Sequence, residues 1–499
     1  MKEDQYHALC KACDELLLEP GASSQRIAIP WLHVIRPHPI FLDNYRKIIE
    51  GRATANFLMY LRNFAATLIR LVRSFLVDHK LKTNFETLSP NCDLLIISHL
   101  VTGPGVEDDF YFGSTAKELA DRGFSSTTAL INYTKVKPSI SVTKQGEAVI
   151  QRLILAPTLG FMEEWSLYRG AAAEAKRLKK RLSKHLNVLS RRVTERAKVE
   201  AVSGGTVSAL RLGEQVKVLI TRLQPSAIVV TYEGHSWERV VFASARSVSP
   251  RIQCIGYQHA ALFRHQYAAQ RKLGSIYTPD TILTSGKLSE MQLKRSRQLE
   301  GIKIVTAGSC RSFVRQKIIP PSLESTTEKR TCLVLPEGIV SECNLLFDYA
   351  LVCAQSIPHV KFIWRLHPNM RFKDLIDSNP KFRELPSNIK LSTLTLLEDI
   401  ERSQWALYRG STAIIQAIMS GLLPIYLHRN DEIQIDTLHE VAPGLRMQVS
   451  TFEDFNSFVK APESIFKTKK NNELLQDFCE QMFTPLNAEV FASCVTWNQ

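Results

Sequence analysis

At 499 residues the chain is too long for one ordinary core, so two domains with appendages are expected. A content of 44% hydrophobic and 22% charged residues excludes a disordered or low-complexity protein. Lys and Arg number 63 against 49 Asp and Glu, and the resulting net charge of +14 favours an anionic partner such as nucleic acid, phospholipid or a phosphorylated substrate.

The chain opens with "MKEDQYHALC", which is polar and acidic and lacks the basic and apolar regions of a signal peptide, so a cytoplasmic location is expected. The ten cysteines are scattered, and the Cys10–Cys13 pair has no second pair to complete a tetrahedral zinc site. Reduced, mostly buried thiols follow. The window Ala55 to Val77 has the length of a membrane span, but Arg62, Arg70 and Arg73 would be costly in hydrocarbon. It reads as an amphipathic helix, packed on the protein or lying on a membrane surface, with packing favoured because the apolar face is wide. Residues 1–88 are expected to be a helical region.

From residue 89 strands and helices alternate. "CDLLIISHL" reads as a buried strand, and "STAKELADRGF" as a helix closed by Gly123. The long loop between them carries Asp108 and Asp109. "AVIQRLILA" fits a strand without excluding a helix. The basic stretch Glu174 to Lys198 reads as a solvated helix face or as a contact for anionic headgroups or a polyanionic glycan. Ile228 to Tyr232 form an apolar run, Glu233-Gly234 a turn, and Trp237, Val240, Val241, Ala245 and Val248 recur at helical spacing. "RIQCIGYQHA" is the next strand, ending at Gln258-His259, so this is a strand, helix, strand unit of the doubly wound type. A first Rossmann-like domain is expected over 89–310, a linker over 311–330, a second Rossmann-like domain over 331–465 and a helical tail over 466–499.

Ligands of open parallel sheets bind at the carboxyl ends of the strands. Three loops of the second domain lie there. "WRLHP" ends a strand on Arg365, His367 and Pro368, where histidine and arginine suit a phosphate and proline stops the strand, or where the pair is only a structural turn. "YRGSTAIIQAIMSG" places Gly410, Ser411 and Thr412 at a helix start, a phosphate-binding geometry unless Ser411 is only a cap. "LPEGIVSE" adds Glu337, Gly338 and Ser341, with Glu337 suited to a ribose or base, or to a surface salt bridge. In the first domain Glu233 is the best candidate base, expected to have its pKa raised by partial desolvation between the domains. Glu238 better suits a helix N-terminal acid. Asp108 and Asp109 are rival bases, and His235 and His259 are candidates for acceptor binding.

The ordered set Tyr232-Glu233-Gly234, His367-Pro368 and Ser411-Thr412 resembles bacterial glycosyltransferases of the GT-B fold, especially sialyltransferases and Kdo transferases that use CMP-activated sugars. The resemblance covers roughly residues 90 to 430. It implies an α/β GT-B architecture of two Rossmann-like doubly wound domains facing across a cleft. It also implies Glu233 as general base on the acceptor hydroxyl, His367 on the donor phosphate, Ser411 and Thr412 holding that phosphate, and no metal or other cofactor. The chain contains no Asp-x-Asp triplet of the kind that holds a divalent ion on a nucleotide sugar. Tyr232 stands where the family often has a second acid, and Thr412 where it has a second serine.

The expected activity is transfer of Kdo, sialic acid or another nonulosonic acid from a CMP-linked donor to a hydroxyl of a lipid-linked or oligosaccharide acceptor in bacterial surface-glycan synthesis. The expected setting is the cytoplasmic face of a membrane with an anionic surface. The alternatives are a CDP- or UDP-linked donor, a GT-B epimerase, and a basic nucleic-acid-binding protein. The last has no recognisable nucleic-acid motif to support it.

Overall fold

A computed structural model of the protein describes the chain except for residues 53–56, 77–84, 86, 91, 102–107, 134–135, 312–329, 369, 461–468 and 497–499. The expected linker therefore lies almost wholly outside the described residues.

Apolar runs bounded by glycine, proline and polar turns build two sheets. The first contains β1 (Leu94–His99), β2 (Ser126–Ile131), β3 (Ile140–Gln145), β4 (Ala148–Ile154), β5 (Ala227–Thr231), β6 (Gln253–Gln258), β7 (Thr281–Thr284) and β8 (Lys303–Thr306), in the order β3-β4-β2-β1-β5-β6-β7-β8. All pairings are parallel except that of β3 with β4. β5 is buried along its whole length, as a strand covered by helices on both faces must be. β3 is mostly exposed, and its alternation is confined to Ile140 and Val142, too short to mark a strand in the sequence.

The second sheet contains β9 (Thr331–Leu335), β10 (Lys361–Trp364), β11 (Ile389–Leu391), β12 (Trp405–Tyr408), β13 (Leu423–Leu427) and β14 (Met447–Val449), all parallel, in the order β11-β10-β9-β12-β13-β14. Each sheet has a switch point, where the chain leaves a central strand in one direction and later returns on its other side. These are the β1/β5 and β9/β12 crevices.

The flanking helices tie the molecule together. The helix Glu3–Leu17 shares a core with the helix Val188–Glu200 through Leu9, Cys13, Val193 and Ala197. Buried ion pairs fix it further: Arg26 Nε reaches Glu174 Oε1 at 2.6 Å, and Arg271 Nε reaches Asp14 Oδ1 at 2.6 Å. At the other end, the helix Lys469–Met482 packs Leu475 and Cys479 into the second domain. The helix Ala488–Thr496 returns to the first, where Phe491 and Val495 join Leu94 and Val229.

The basic stretch from Glu174 to Lys198 divides between the helices Phe161–Arg181 and Val188–Glu200: Lys176, Arg177, Lys179 and Lys180 are exposed on the first, while Glu174 is buried against Arg26. The helix Phe57–Leu76 packs on the helices Phe161–Arg181 and Gly204–Leu223, and among its described side chains Thr67, Leu71 and Ser74 are buried while Leu61, Leu68, Ile69, Val72 and Phe75 are exposed, the last at 76%. Among the described residues no helix is long and apolar enough to cross a membrane.

Candidate active site at the facing sheet edges

The first half-site forms where β5 ends. The chain passes through Tyr232 and Glu233 to Gly234, whose φ of +89° is left-handed and whose absent Cβ leaves room for the Ala268 carbonyl. The helix Ser236–Val248 follows. In its first turn Glu238 accepts from the backbone N–H groups of Glu233, Gly234 and His235 at 3.0, 2.7 and 2.8 Å. Burial pushes Glu238 up to about 7, and it serves as the acid that closes the turn.

Glu233 is 6% exposed. Its Oε2 accepts from Arg36 Nη2 at 3.1 Å and from His235 Nε2 at 3.2 Å, so both contacts fall on one oxygen and Oε1 has neither. The raised pKa expected from desolvation is not found. Burial does push the carboxyl up, but the His235 hydrogen bond and the Arg36 and His259 charges outweigh it and hold the group well below the usual carboxylate range. Burial disfavours a charged His235, and the Glu233 bond overcomes this and raises it. A carboxylate so held is a weak base for as long as its cations stay in place.

The other acceptor candidates divide. Asp108 is exposed and lies 3.4 Å from Lys117 Nζ. Asp109 is not a free base: its Oδ1 accepts from Ser98 Oγ, Tyr111 N and Phe112 N at 2.9, 2.8 and 2.9 Å, which fixes the loop after β1. His259 follows β6, with its ring 4.3 Å from that of Tyr111, and burial lowers it to about 4. His99, which the sequence reading did not single out, ends β1 beside it. Its ring stacks on Tyr133 at 5.7 Å and meets Trp237 edge-on at 5.2 Å, and burial with the neighbouring histidines also lowers it to about 4.

The second half-site is made by loops that glycine allows to approach. A Cβ on Gly338 would lie 2.7 Å from His367 Nδ1, and one on Gly410 would overlap the Glu337 carboxylate. Glu337, Gly338, His367 and Gly410 are therefore together, at the ends of β9, β10 and β12. Pro368 is exposed in the turn closed by Met370 N donating to His367 O at 2.8 Å. Burial lowers His367, so the ring is neutral at neutral pH.

Ser341 is exposed in the first turn of the helix Val340–Ser356. Ser411 is half-buried and Thr412 exposed. Thr412 occupies the cap position of the short helix Ala413–Met419 without a capping side-chain hydrogen bond. Arg365 does not offer the charge expected of it: its Nη1 donates to Leu394 O and to Asp399 Oδ2, each at 2.7 Å, and Asp399 is 1% exposed.

The two half-sites are joined by a segment assigned in the sequence reading to a helical addition. Between the short helix Pro30–His33 and the helix Pro39–Ile49, residues 34–38 run as a strap. Arg36 reaches Glu233, 197 residues away in sequence. His38, buried at 1%, accepts from Ile40 N through Nδ1 at 3.4 Å, which leaves the ring proton on Nε2, facing Glu337 Oε2 at 3.4 Å. One signal pointed to it: Arg36-Pro37-His38-Pro39 repeats the Arg-x-His-Pro order of Arg365 to Pro368.

Ligating atoms of His38, Glu337 and Glu342 all lie within 4.8 Å of one another, a spacing open to a metal ion. Glu342 Oε2, however, already has Arg409 Nε at 2.8 Å, and the same buried guanidinium also binds Glu432. That cation supplies the charge a metal would bring.

No known protein family and no curated protein matches the chain. Solved structures do, at low identity. The glycotransferase of kitacinnamycin is 11% identical over 82% of this chain and 99% of its own, with a TM-score of 0.44. The glycosyltransferase SnogD from Streptomyces nogalater is 14% identical over 82% and 100%, with a TM-score of 0.41. A UDP-forming α,α-trehalose-phosphate synthase from Burkholderia vietnamiensis is 11% identical over 81% and 99%, with a TM-score of 0.47. The two parallel-sheet α/β domains of this chain are established by its own strand order.

Proposed function

We propose that the chain is a nucleotide-sugar-dependent glycosyltransferase that transfers a sugar to an acceptor hydroxyl. The observation that carries this reading is the meeting, through one strap, of two switch-point edges of opposite character. One presents a buried carboxylate backed by histidines, and the other presents glycine-lined loops with His367 and two helix-start hydroxyls. The reading commits to a donor with phosphates and leaves its base to experiment.

In the reaction the acceptor oxygen forms the new bond to the anomeric carbon and its proton passes to Glu233 Oε1. The bond to the phosphate oxygen breaks, and the departing charge is met by His367, Ser411, Thr412 and the backbone at Gly410. Calorimetric titration with UDP, CDP, CMP, UMP and GDP, repeated on His367→Ala, tests the pocket. Selective binding, weakened about tenfold or more in the variant, is expected. Absence of binding by every nucleotide would sink the reading. Product analysis with and without acceptor separates transfer from epimerisation.

The exposed stripe Leu61, Leu68, Val72 and Phe75 supports a peripheral site on an anionic membrane. The helix Phe57–Leu76 that carries it contains no acidic residue, and the exposed Phe161, Met162 and Trp165 extend the apolar surface from the next helix. Co-sedimentation with anionic lipid vesicles, lost in Phe75→Glu, is the expected result, and equal sedimentation of both proteins would remove the membrane from the proposal.

A further inference from the structure

The strap contains a cation placed between two acids of different domains. Arg36 Nη2 donates to Glu233 Oε2 at 3.1 Å, its side chain is 48% exposed, and Glu337 of the second domain lies within its electrostatic reach. The neighbouring arginines of the second domain's loops are engaged inside it, Arg365 by Asp399 and Arg409 by Glu342 and Glu432. Backbone geometry holds the strap in place. Val34, a β-branched residue, has a left-handed φ of +48°, a conformation that costs about 1–3 kcal/mol and persists only where the surroundings impose it. Four residues later His38 is buried as the cap of the next helix, facing Glu337.

We propose that Arg36 is shared by the two half-sites: it pairs with Glu233 in the free protein and turns to the phosphate of an incoming nucleotide donor. Donor binding then frees the carboxylate to act on the acceptor, so the base strengthens only when a sugar is present to be transferred. The guanidinium fork suits this task because it binds carboxylate and phosphate oxygens alike. The groups that face Glu233 are Arg36 from the strap, His235 and Glu238 from the helix start, His99 from β1, His259 after β6 and Tyr111 from the loop after β1. Of these only Arg36 lies outside the first sheet and its connections.

The inference rests on the glycosyltransferase reading, and one set of measurements separates the two. Wild type, Arg36→Lys and Arg36→Gln are titrated with UDP, CDP and CMP by calorimetry, and the His235 ring is followed by NMR across pH with and without each nucleotide. Arg36→Gln is expected to weaken binding about tenfold or more, and Arg36→Lys less, because it keeps the charge and loses the fork. In the free protein His235 should titrate higher in Arg36→Gln than in wild type, because the Arg36 charge opposes its protonation. Added nucleotide should raise the wild-type titration and move the Arg36→Gln one less. Wild-type binding with unchanged affinity in both variants, or a His235 titration unmoved by nucleotide, overturns the role of Arg36 and leaves the transferase reading standing. Failure of the wild type to bind any of the three overturns both.

Discussion

The two sheet edges solve opposite problems with the same topology. At the β1/β5 crevice the polar groups are side chains, already paired: Glu233 with Arg36 and His235, Asp109 with its own loop, and His99 and His259 among aromatic rings. At the β9/β12 crevice the arginines are bound internally, and the loops instead bring glycine backbone, two hydroxyls and a neutral histidine to the edge. The contrast teaches that one topology can gather paired, buried charges at one sheet edge and backbone, hydroxyl and neutral ring groups at the other.

The sharpest way to break this comparison is Glu233→Gln. Transfer should fall by about two to four orders of magnitude, with nucleotide binding retained or tightened, since the lost group serves the acceptor and its loss releases Arg36. Steady-state rates and calorimetry together check this, and a parallel loss of nucleotide binding would show the two edges to be one site. Asp399→Ala should lower stability by about 3 kcal/mol in a denaturant titration, because it leaves the partly buried Arg365 without its carboxylate. A neutral effect would return Arg365 to the ligand side.

Acid should act against the two buried histidines of the first edge. His99 and His259 are both lowered to about 4, so the folded state binds fewer protons than the unfolded chain, whose histidines titrate near 6.5. Their contribution is present above about pH 6.5 and is lost as the pH falls toward 4, by about 2 kcal/mol per ring once partial exposure is allowed for. Glu238, raised to about 7, and His235, also raised, gain stability over the same range, so the readout is a difference: the thermal midpoint of wild type relative to His99→Asn should fall between pH 7 and 4.5. The smallest effect is expected from Gly410→Ala, whose Cβ displaces the Glu337 carboxylate, at about 1–2 kcal/mol of stability and roughly tenfold in nucleotide affinity. Unchanged affinity there would remove Gly410 from the binding loop.

Much of the frame could be read locally. β5, its turn and its helix, and β12 with the glycine and hydroxyls that follow, are each contained within about twenty residues, where apolar runs, glycine and helical spacing act on neighbouring backbone. β3 escaped because on this exposed edge strand the apolar alternation stops after Ile140 and Val142. The helix Phe57–Leu76 was recognisable as amphipathic, but whether its stripe is covered depends on what packs against it.

The sequence by itself determined the two alternating series, the positions of their strand-end loops and the residue types those loops carry, because periodicity and turn chemistry are properties of adjacent residues. Only the tertiary structure decided what those residues meet. It spent Arg365 on Asp399, fixed Asp109 in its own turn, lowered Glu233 where burial alone would raise it, and carried Arg36 across 197 residues to that carboxylate. Charge pairing and desolvation depend on distance in space, and the chain's linear order does not specify that distance.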